Sequence, residues 1–204
     1  ILNRGELDAV PDVLNVLAAA AVVQGLTGCD APTLARSIER LRSVRGRMTV
    51  VTEKPFSVVV DYAHTPGSFE NVLPFFREQC AGRLIVVFGS AGERDLAKRP
   101  LQGEIADRYA DVIVLADEDP RGEEPMSILR EIAGGCPSRT EGRDIFLIPD
   151  RRAAVRQAFT LATTGDTVLL LGKGHEATII GATQTVPWDE IEVAKEELDR
   201  IGSR

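Results

Sequence analysis

Residues 60–66 read VDYAHTP and place an acid and a histidine where an apolar run gives way to a helical pattern. Thr65 and Pro66 are typical of the N-cap and the first position of a helix, and Asp61 would then cap the turn. This explanation gives His64 no role. Because a neutral imidazole beside a crevice also suits a nucleobase or a ribose, a structural role and a nucleotide contact both stay open.

A second loop, GSAGERDLAKRP over residues 89–100, combines glycines with three cationic side chains, Arg94, Lys98 and Arg99. N–H groups before a helix attract anions, so this loop is a candidate clamp for a carboxylate or a phosphate. A flexible surface loop is the alternative. The GxxxxGK[ST] spacing of a P-loop is absent here and elsewhere in the sequence. A nucleotide triphosphate site would therefore need a P-loop from outside this sequence.

Two further loops carry acids and bases: ADEDPRGEEP over residues 116–125 and GKGHE over residues 172–176. In GKGHE, the neighbouring Lys173, His175 and Glu176 suit acid–base catalysis or a pair of metal ligands. Zinc sites usually need three or four protein ligands, and no companion cluster is visible in the sequence. Solvated turn residues are the simpler interpretation of this motif taken alone.

Short apolar runs precede all four loops and alternate with helical patterns from residue 48 onward. Strands that are apolar on both faces and separated by helices predict a mostly parallel, doubly wound α/β sheet of about six strands, Rossmann-like in type. Ligands bind beyond the carboxyl ends of such strands, which is where the four loops lie. A hairpin, ATIIGATQTVPW, and a charged helix over 189–201 follow. The predicted strands are MTVVTE, SVVVDYA, RLIVVFG, DVIVLAD, DIFLIPD and DTVLLLG, with helices near 67–80, 100–110, 125–133 and 150–163.

The first 47 residues have a different, helical pattern. VLNVLAAAAVVQGLTG predicts a helix that is apolar on nearly every side, and therefore buried, ending at Gly25 or Gly28. Asp30 and Pro32 mark the start of a second helix. Because this opening contains no strand, residues 1–47 are expected to be the tail of a preceding domain with its linker. Residues 48–204 are expected to form the α/β domain.

Composition and charge narrow the class of protein. The 204 residues are 44% hydrophobic and 27% charged, with a net charge of −7. No basic stripe is present, so no nucleic-acid partner is predicted. No apolar stretch approaches the roughly 18 residues of a membrane span, so no membrane partner is predicted. Three widely spaced cysteines form neither a disulfide framework nor a CxxC site, which favours a cytoplasmic protein.

Taken in order, DYAHTPGSFENV, GSAGERDLAKRP, the DPR turn and GKGHE resemble the loops of the carboxy-terminal domain of the Mur ligases. The resemblance covers nearly the whole chain. VLNVLAA is similar to the asparagine-bearing helix that ends the family's central ATPase domain, and RGRM is similar to the family's linker. The resemblance implies that Asn15 lies near the adenine and that Arg47 reaches the nucleotide. It also implies that Asp61 and His64 hold the nucleotide from the carboxy-terminal side.

The same resemblance implies an ATP-dependent, ADP-forming ligase that uses Mg²⁺. Its implied substrates are UDP-N-acetylmuramoyl-L-alanyl-D-glutamate (UDP-MurNAc-dipeptide) and a diamino acid, joined during peptidoglycan synthesis. The P-loop and most metal ligands belong to the family's amino-terminal and central domains. We therefore expect no catalytic residue and no metal ligand in this chain, and no activity without the missing domains. The implied amino-acid pocket consists of Arg94, Glu118, Asp119, Arg121, Gly172 and Glu176.

Residues 118–121 depart from the pattern of the family's meso-diaminopimelate ligases, which usually read DNPR. This chain reads Glu118, Asp119, Pro120 and Arg121. Arg121 can still pair with a distal carboxylate, while Asp119 adds a negative charge that would suit an ammonium group. meso-Diaminopimelate, L-lysine and L-ornithine all stay open as acceptors. The alternative functions are a folylpolyglutamate synthase-like ligase and a non-catalytic, Mur-like binding or regulatory module.

Overall fold

The computed structural model describes residues 10–40 and 44–202. The chain divides into two compact units, one up to Val44 and one from Arg45 onward. The first unit contains helices α1 (Val10–Thr27) and α2 (Ala31–Ile38). The Asp30 carboxylate accepts a hydrogen bond from the Thr33 N–H at 2.9 Å and so caps α2. The predicted start of this second helix is therefore confirmed.

The prediction that the first helix is buried on nearly every side is wrong for the side chains that the structure describes. From Asn15 to Thr27 the side chains of α1 are exposed or half-buried, and Leu26 is 82% exposed. Helix α2 packs against α1, but among its eight residues only Leu34 and Ile38 are large aliphatic side chains. This helix pair therefore has too little apolar surface to enclose α1.

The second unit is built on a six-stranded sheet in the order β1-β2-β6-β3-β4-β5. Strand β1 runs antiparallel to β2, whereas all other neighbouring strands are parallel. The six predicted strands and the mostly parallel sheet are therefore confirmed. The strands are β1 (Thr49–Thr52), β2 (Ser57–Asp61), β3 (Leu84–Phe88), β4 (Val112–Leu115), β5 (Ile145–Leu147) and β6 (Thr167–Leu171).

Helices cover both faces of this sheet. Helices α3 (Pro66–Gln79), α4 (Lys98–Tyr109) and α5 (Pro125–Ala133) pack on one face. Helices α6 (Arg151–Leu161) and α7 (Glu190–Gly202) pack on the other. Every residue of β3, β4 and β6 is buried, which explains why these runs are apolar without alternation. The predicted hairpin is confirmed as β7 (Thr178–Ile180) and β8 (Thr185–Pro187).

Within residues 10–40 and 44–202, no helix combines the length and the apolar character that crossing a membrane requires.

A buried ion pair joins α6 to α7. The side chains of Arg151 and Glu190 have no exposed surface, and Arg151 Nη2 lies 2.7 Å from Glu190 Oε1. Arg151 also donates hydrogen bonds to the main-chain carbonyls of Asp117 and Leu171, at 3.1 and 2.8 Å. These carbonyls lie at or just beyond the carboxyl ends of β4 and β6. One guanidinium therefore attaches both helices to the carboxyl edge of the sheet.

We expect Glu190→Ala to lower the free energy of unfolding by about 3–5 kcal/mol, because it leaves the Arg151 guanidinium buried without its counter-charge. Glu196→Ala removes a 58% exposed partner of Arg152 and is the matched control, expected to cost under about 1 kcal/mol. Urea denaturation of the two variants and the parent protein measures both changes. Equal losses would show that the Arg151–Glu190 pair does not anchor this edge.

Candidate functional site

Four loops follow the carboxyl ends of the parallel strands β2, β3, β4 and β6, and they lie at the same end of the sheet, here called its carboxyl edge. Strand β6 lies between β2 and β3, so the loop after β6 leaves the sheet beside the loop after β2. The Gly172 N–H donates a hydrogen bond to the Asp61 carbonyl at 3.2 Å. The strand order changes direction at this point, which is where open α/β sheets bind ligands.

Asp61 is buried, and its carboxylate binds the main chain. Oδ2 accepts a hydrogen bond from the Met48 N–H at 2.9 Å, and Oδ1 accepts one from the Ala63 N–H at 2.8 Å. Met48 has a φ of 45°, a conformation that is unfavourable for a residue with a side chain. Asp61 therefore fixes the chain directly after Arg47. These contacts suit a role in positioning Arg47 through the main chain of Met48.

Thr65 caps α3, as the sequence predicts. Its Oγ1 accepts a hydrogen bond from the Ser68 N–H at 3.2 Å, while Ser68 Oγ accepts one from the Thr65 N–H at 2.9 Å. Pro66 is the first residue of the helix. The prediction of a helix start in this motif is therefore confirmed.

His64 has one ring nitrogen engaged by the main chain. Nδ1 lies 2.8 Å from the carbonyl oxygen of Tyr62, so a neutral ring carries its proton on Nδ1 and donates it to that oxygen. Nε2 is then a hydrogen-bond acceptor. The helix start thus leaves a half-buried imidazole with one nitrogen available to a ligand.

Tyr62 is the centre of a cluster of cationic and aromatic side chains. The Arg47 guanidinium lies 4.6 Å from the centroid of the Tyr62 ring. The ring centroids of His64 and His175 are 4.6 and 4.8 Å from the same centroid. Both histidines of the sequence therefore contact this one tyrosine. Sequence reasoning did not single out Tyr62, although its place between Asp61 and His64, directly after a strand, was the available signal.

Two glycines allow the segment of residues 45–48 to pack against the loop of residues 172–177. A Cβ at Gly46 would lie 2.2 Å from the carbonyl carbon of Gly174. A Cβ at Gly174 would lie 2.7 Å from the Cβ of Tyr62. Neither position accepts a larger residue without movement of the backbone. This close approach places Arg47 beside the loop that contains Glu176.

Lys173 is the buried cation of the GKGHE loop. Its side chain has no exposed surface, and its Nζ lies 2.9 Å from Asp119 Oδ1 and 2.6 Å from Glu176 Oε2. Glu176 Oε1 accepts a hydrogen bond from the Tyr62 hydroxyl at 3.0 Å. Asp119 Oδ1 also accepts one from the Ile180 N–H at 2.9 Å. One ammonium group therefore connects the loops after β4 and β6.

The hypothesis that Asp119 offers its charge to the ammonium group of a ligand does not fit these contacts, because Lys173 already supplies an ammonium. Glu118 is different. It is 6% exposed, and its Oε2 is buried without a hydrogen-bond partner among the described residues. Burial raises the pKa of the Glu118 carboxyl, although the nearby cations Lys98 and Arg151 oppose the shift. Glu118 Oε2 is therefore a buried acceptor whose hydrogen-bonding capacity the described residues leave unused.

Gly172, with a φ of 101°, lies close to that oxygen. A Cβ at this position would lie 3.0 Å from Glu118 Oε2. The structure thus brings together four of the six predicted pocket residues, Glu118, Asp119, Gly172 and Glu176, through contacts that include Lys173.

Arg121 and Arg94 complete the predicted pocket, and their surroundings differ. Arg121 is half-buried, its N–H donates a hydrogen bond to the Ile180 carbonyl at 2.9 Å, and its Nε has no hydrogen-bond partner in the described protein. Arg94 is exposed. Among the described residues, no ion pair joins either guanidinium to Glu118, Asp119 or Glu176. Both guanidinium groups are therefore available to an anionic ligand.

The clamp predicted from Arg94, Lys98 and Arg99 is wrong for Arg99. Its side chain has no exposed surface, and its Nη1 lies 2.8 Å from Glu123 Oε2 and 2.8 Å from Glu131 Oε2. Lys98 Nζ donates a hydrogen bond to the main-chain carbonyl of His64 at 3.1 Å. These two cations attach the start of α4 to neighbouring segments, and of the three only Arg94 is exposed.

Asn15 and Arg47, both predicted to contact the nucleotide, lie in different units of the chain. Asn15 is exposed on α1, in the first unit, whereas Arg47 belongs to the second.

The pairing of His175 with Glu176 as metal ligands is not supported, because one ring contacts Tyr62 and the carboxylate contacts Lys173. In the part of the chain that the structure describes, no three His, Cys, Asp or Glu side chains are arranged to hold a metal ion.

Known proteins are similar to this chain over most of its length. The sequence profile described as "Mur ligase, glutamate ligase domain" matches residues 46–174. The UDP-N-acetylmuramyl-tripeptide synthetase of Treponema denticola is 45% identical over 197 residues, which are 95% of this chain and 37% of that protein. The UDP-N-acetylmuramoyl-L-alanyl-D-glutamate--2,6-diaminopimelate ligase of Coxiella burnetii is 40% identical over 187 residues, which are 90% of this chain and 38% of that protein.

A solved structure of a UDP-N-acetylmuramoyl-L-alanyl-D-glutamate--2,6-diaminopimelate ligase matches with a TM-score of 0.72 and 31% identity. The match covers 94% of this chain and 39% of that one. The chain thus spans well under half the length of the proteins that it matches. Since the profile match runs from Gly46 to Gly174, through the loops after β2, β3 and β4 and into the loop after β6, the chain belongs to the Mur ligase family.

Proposed function

We propose that the chain is the carboxy-terminal part of an ATP-dependent amide-bond ligase. The whole protein would add a diamino acid to UDP-N-acetylmuramoyl-L-alanyl-D-glutamate during peptidoglycan synthesis. The observation that carries the proposal is the buried bridge of Lys173 with Asp119 and Glu176, beside the unpaired oxygen of Glu118. The names of the two relatives, which specify a tripeptide product and a diaminopimelate acceptor, support this proposal over a folylpolyglutamate synthase.

The relatives are much longer than this chain, which supports the assignment of its two parts. Residues 1–47 would be the end of the central ATPase domain and a linker, and residues 48–204 the carboxy-terminal domain. The exposed apolar side chains of α1, such as Leu17 and Leu26, would then be covered by the rest of that central domain.

In the proposed reaction, the substrate carboxylate would take the γ-phosphoryl group of ATP with release of ADP, and the acceptor's amino group would then displace phosphate from the acyl phosphate to form the amide. This chain would hold the nucleotide through Arg47 and His64. The Arg47 guanidinium is held over Tyr62, and Nε2 of His64 is an acceptor for a ribose hydroxyl or an adenine amino group. Asp61 would act by positioning Arg47, and Asn15 would contact the adenine. Mg²⁺ would be bound mainly by the domains outside this chain.

The acceptor amino acid would bind between the loops after β3, β4 and β6. Oε2 of Glu118, which has no partner among the described residues, suits an ammonium group. Burial raises the pKa of this carboxyl, and an approaching cation would favour its charged form. The guanidinium groups of Arg94 and Arg121 suit carboxylates. Lys173 would keep Asp119 and Glu176 in place, so that Glu118 meets the distal amine.

Arg121 is the residue that we propose distinguishes between acceptors. meso-Diaminopimelate, L-lysine and L-ornithine all present a distal ammonium, but only meso-diaminopimelate presents a second carboxylate beside it. Arg121 has a half-buried side chain with an unpartnered Nε, on the same turn as Glu118. A carboxylate next to the ammonium bound by Glu118 would therefore lie close to this turn.

The 204-residue chain alone is expected to release no phosphate from ATP and Mg²⁺ in the presence of UDP-MurNAc-dipeptide and any of the three diamino acids, because it has no P-loop sequence. A longer natural protein that includes the P-loop and central domains should turn over with at least one of them. Colorimetric phosphate release measures both. Turnover by the short chain at the rate of the long one would contradict the assignment of the P-loop step to other domains. An inactive long protein would overturn the proposed function.

Asp61→Ala and His64→Ala in the longer protein are expected to have different effects. Asp61→Ala leaves two main-chain N–H groups without an acceptor, so we expect it to lower the free energy of unfolding by about 1–3 kcal/mol. His64→Ala should raise the Michaelis constant for ATP with little change in melting temperature. Steady-state kinetics and calorimetric melting separate the two effects. An unchanged Michaelis constant with a steep loss of melting temperature in His64→Ala would support a purely structural role.

Arg121→Ala in the longer protein is expected to lower kcat/KM for meso-diaminopimelate relative to that for L-lysine. The expected factor corresponds to a free-energy difference of about 1.5–3 kcal/mol, the range of a hydrogen bond to a charged group. Arg130→Ala, an exposed arginine on α5, is the control and should leave this ratio unchanged. If L-lysine does not turn over, calorimetric affinities of the two amino acids supply the ratio. Equal losses for both acceptors would show that Arg121 does not select for the second carboxylate.

A further inference from the structure

Tyr62 contacts residues that the proposed function assigns to two different ligands. Its ring lies 4.6 Å from the Arg47 guanidinium and 4.6 Å from the His64 ring, both on the proposed nucleotide side. Its hydroxyl donates a hydrogen bond to Glu176 Oε1 at 3.0 Å, on the proposed acceptor side. One half-buried side chain therefore joins the two halves of the site.

The surroundings of Tyr62 leave its ring little freedom. The His175 ring lies 4.8 Å from it, in addition to Arg47 and His64. The main chain of Gly174 approaches so closely that a Cβ there would lie 2.7 Å from the Cβ of Tyr62. Movement of the ring would therefore displace the GKGHE loop, and movement of that loop would displace the ring.

The hydroxyl of Tyr62 is one of two groups that orient the Glu176 carboxylate, the other being the Lys173 ammonium on Oε2. Burial raises the pKa of Tyr62, and the neighbouring charges of Glu176 and Glu118 raise it further. The hydroxyl therefore keeps its proton at neutral pH and stays a donor. With both oxygens of Glu176 engaged, the carboxylate has one preferred orientation.

We propose that Tyr62 is a positioning residue that couples nucleotide binding to amino-acid binding, because it holds Arg47 and His64 through its ring and Glu176 through its hydroxyl. The inference rests on the proposed function of these residues. A nucleotide that binds Arg47 and His64 favours one position of the ring packed between them, and the hydroxyl passes that preference to Glu176, so the two ligands favour the same arrangement of the site. By linkage, each ligand then strengthens the binding of the other by the same factor.

The test uses the longer natural protein and needs no turnover. Isothermal titration calorimetry measures the affinity for meso-diaminopimelate, L-lysine and L-ornithine with and without saturating ADP and Mg²⁺. The wild type is expected to bind its acceptor about tenfold more tightly in the presence of ADP, within the usual range of coupling between sites. Tyr62→Phe keeps the ring and removes the hydroxyl, and it should reduce this factor to nearly one.

The other tyrosine of the chain provides a matched control. Tyr109 on α4 also has an arginine over its ring, with the Arg108 guanidinium 5.6 Å from the centroid. Tyr109→Phe should therefore retain the full coupling factor. In kinetic assays, Tyr62→Phe should raise the KM for the acceptor more than it lowers kcat, whereas Tyr109→Phe should change neither.

A double-mutant cycle with Glu176 identifies the contact responsible. Glu176→Gln weakens the same hydrogen bond from its other end and also removes one counter-charge of Lys173, so adding Tyr62→Phe to it should cause no further loss of coupling. If Tyr62→Phe fails to fold, as judged from its melting temperature, Glu176→Gln alone decides the question, and retained coupling in that variant overturns the inference.

The two proposals fail in distinguishable ways. If the wild type binds ADP and an amino acid but the coupling persists in Tyr62→Phe, or is absent from the wild type, the inference is overturned and the proposed function stands. If the wild type binds no nucleotide, or none of the three amino acids, the proposed function is overturned and the inference with it.

Discussion

A buried ammonium group needs counter-charges, and the site depends on how Lys173 obtains them. Lys173 follows β6, its partner Asp119 follows β4, and β3 lies between these two strands. The pair therefore spans about 9–10 Å of the sheet edge, which is two strand spacings. Its second partner, Glu176, contacts Tyr62, and Asp119 also accepts the Ile180 N–H. Lys173 Nζ thus connects the loops after β4 and β6 directly. Through Asp119 it also holds the β7–β8 hairpin, and through Glu176 it holds Tyr62.

The same nitrogen determines which charges a ligand can meet. Three acids, Glu118, Asp119 and Glu176, lie at this edge, and residue types alone make them equivalent candidates for binding an ammonium group. Lys173 engages two of them, while an oxygen of Glu118 has no hydrogen-bond partner within residues 10–40 and 44–202. Removing one member of a buried pair leaves an uncompensated charge, so these side chains have to be considered as a unit. Arg121, whose Nε has no hydrogen-bond partner in the part of the chain that the structure describes, then supplies the opposite charge on the same turn.

The sequence was sufficient to predict the sheet and the loops, but it did not show which side chains at the edge are used internally. Strands that are buried on both faces have continuous apolar runs, and the helix start at Thr65 depends on neighbouring residues only. Asp61, Asp119 and Arg99 have residue types that suit ligands, yet each has a hydrogen-bond partner far away in the sequence, at 13, 54 and 24 positions respectively. Such partners depend on the order of the strands in the sheet, which the local sequence pattern does not show. The apolar pattern of α1 likewise did not show how much of its surface this chain covers.

The apolar core in turn keeps the polar site in register. Asp61 pairs with Leu171 in the parallel ladder of β2 and β6, so DYAH and GKGHE leave the sheet side by side. A shift of one residue would turn every side chain of one strand to the opposite face. Leu169 and Leu171 of β6 belong to the core on one face of the sheet, and Val168 and Leu170 belong to the core on the other face. Because every residue of β6 is buried, the shift would repack both cores. The distance between Tyr62 and Glu176 is therefore set by hydrophobic packing below the site as well as by the hydrogen bond that joins them.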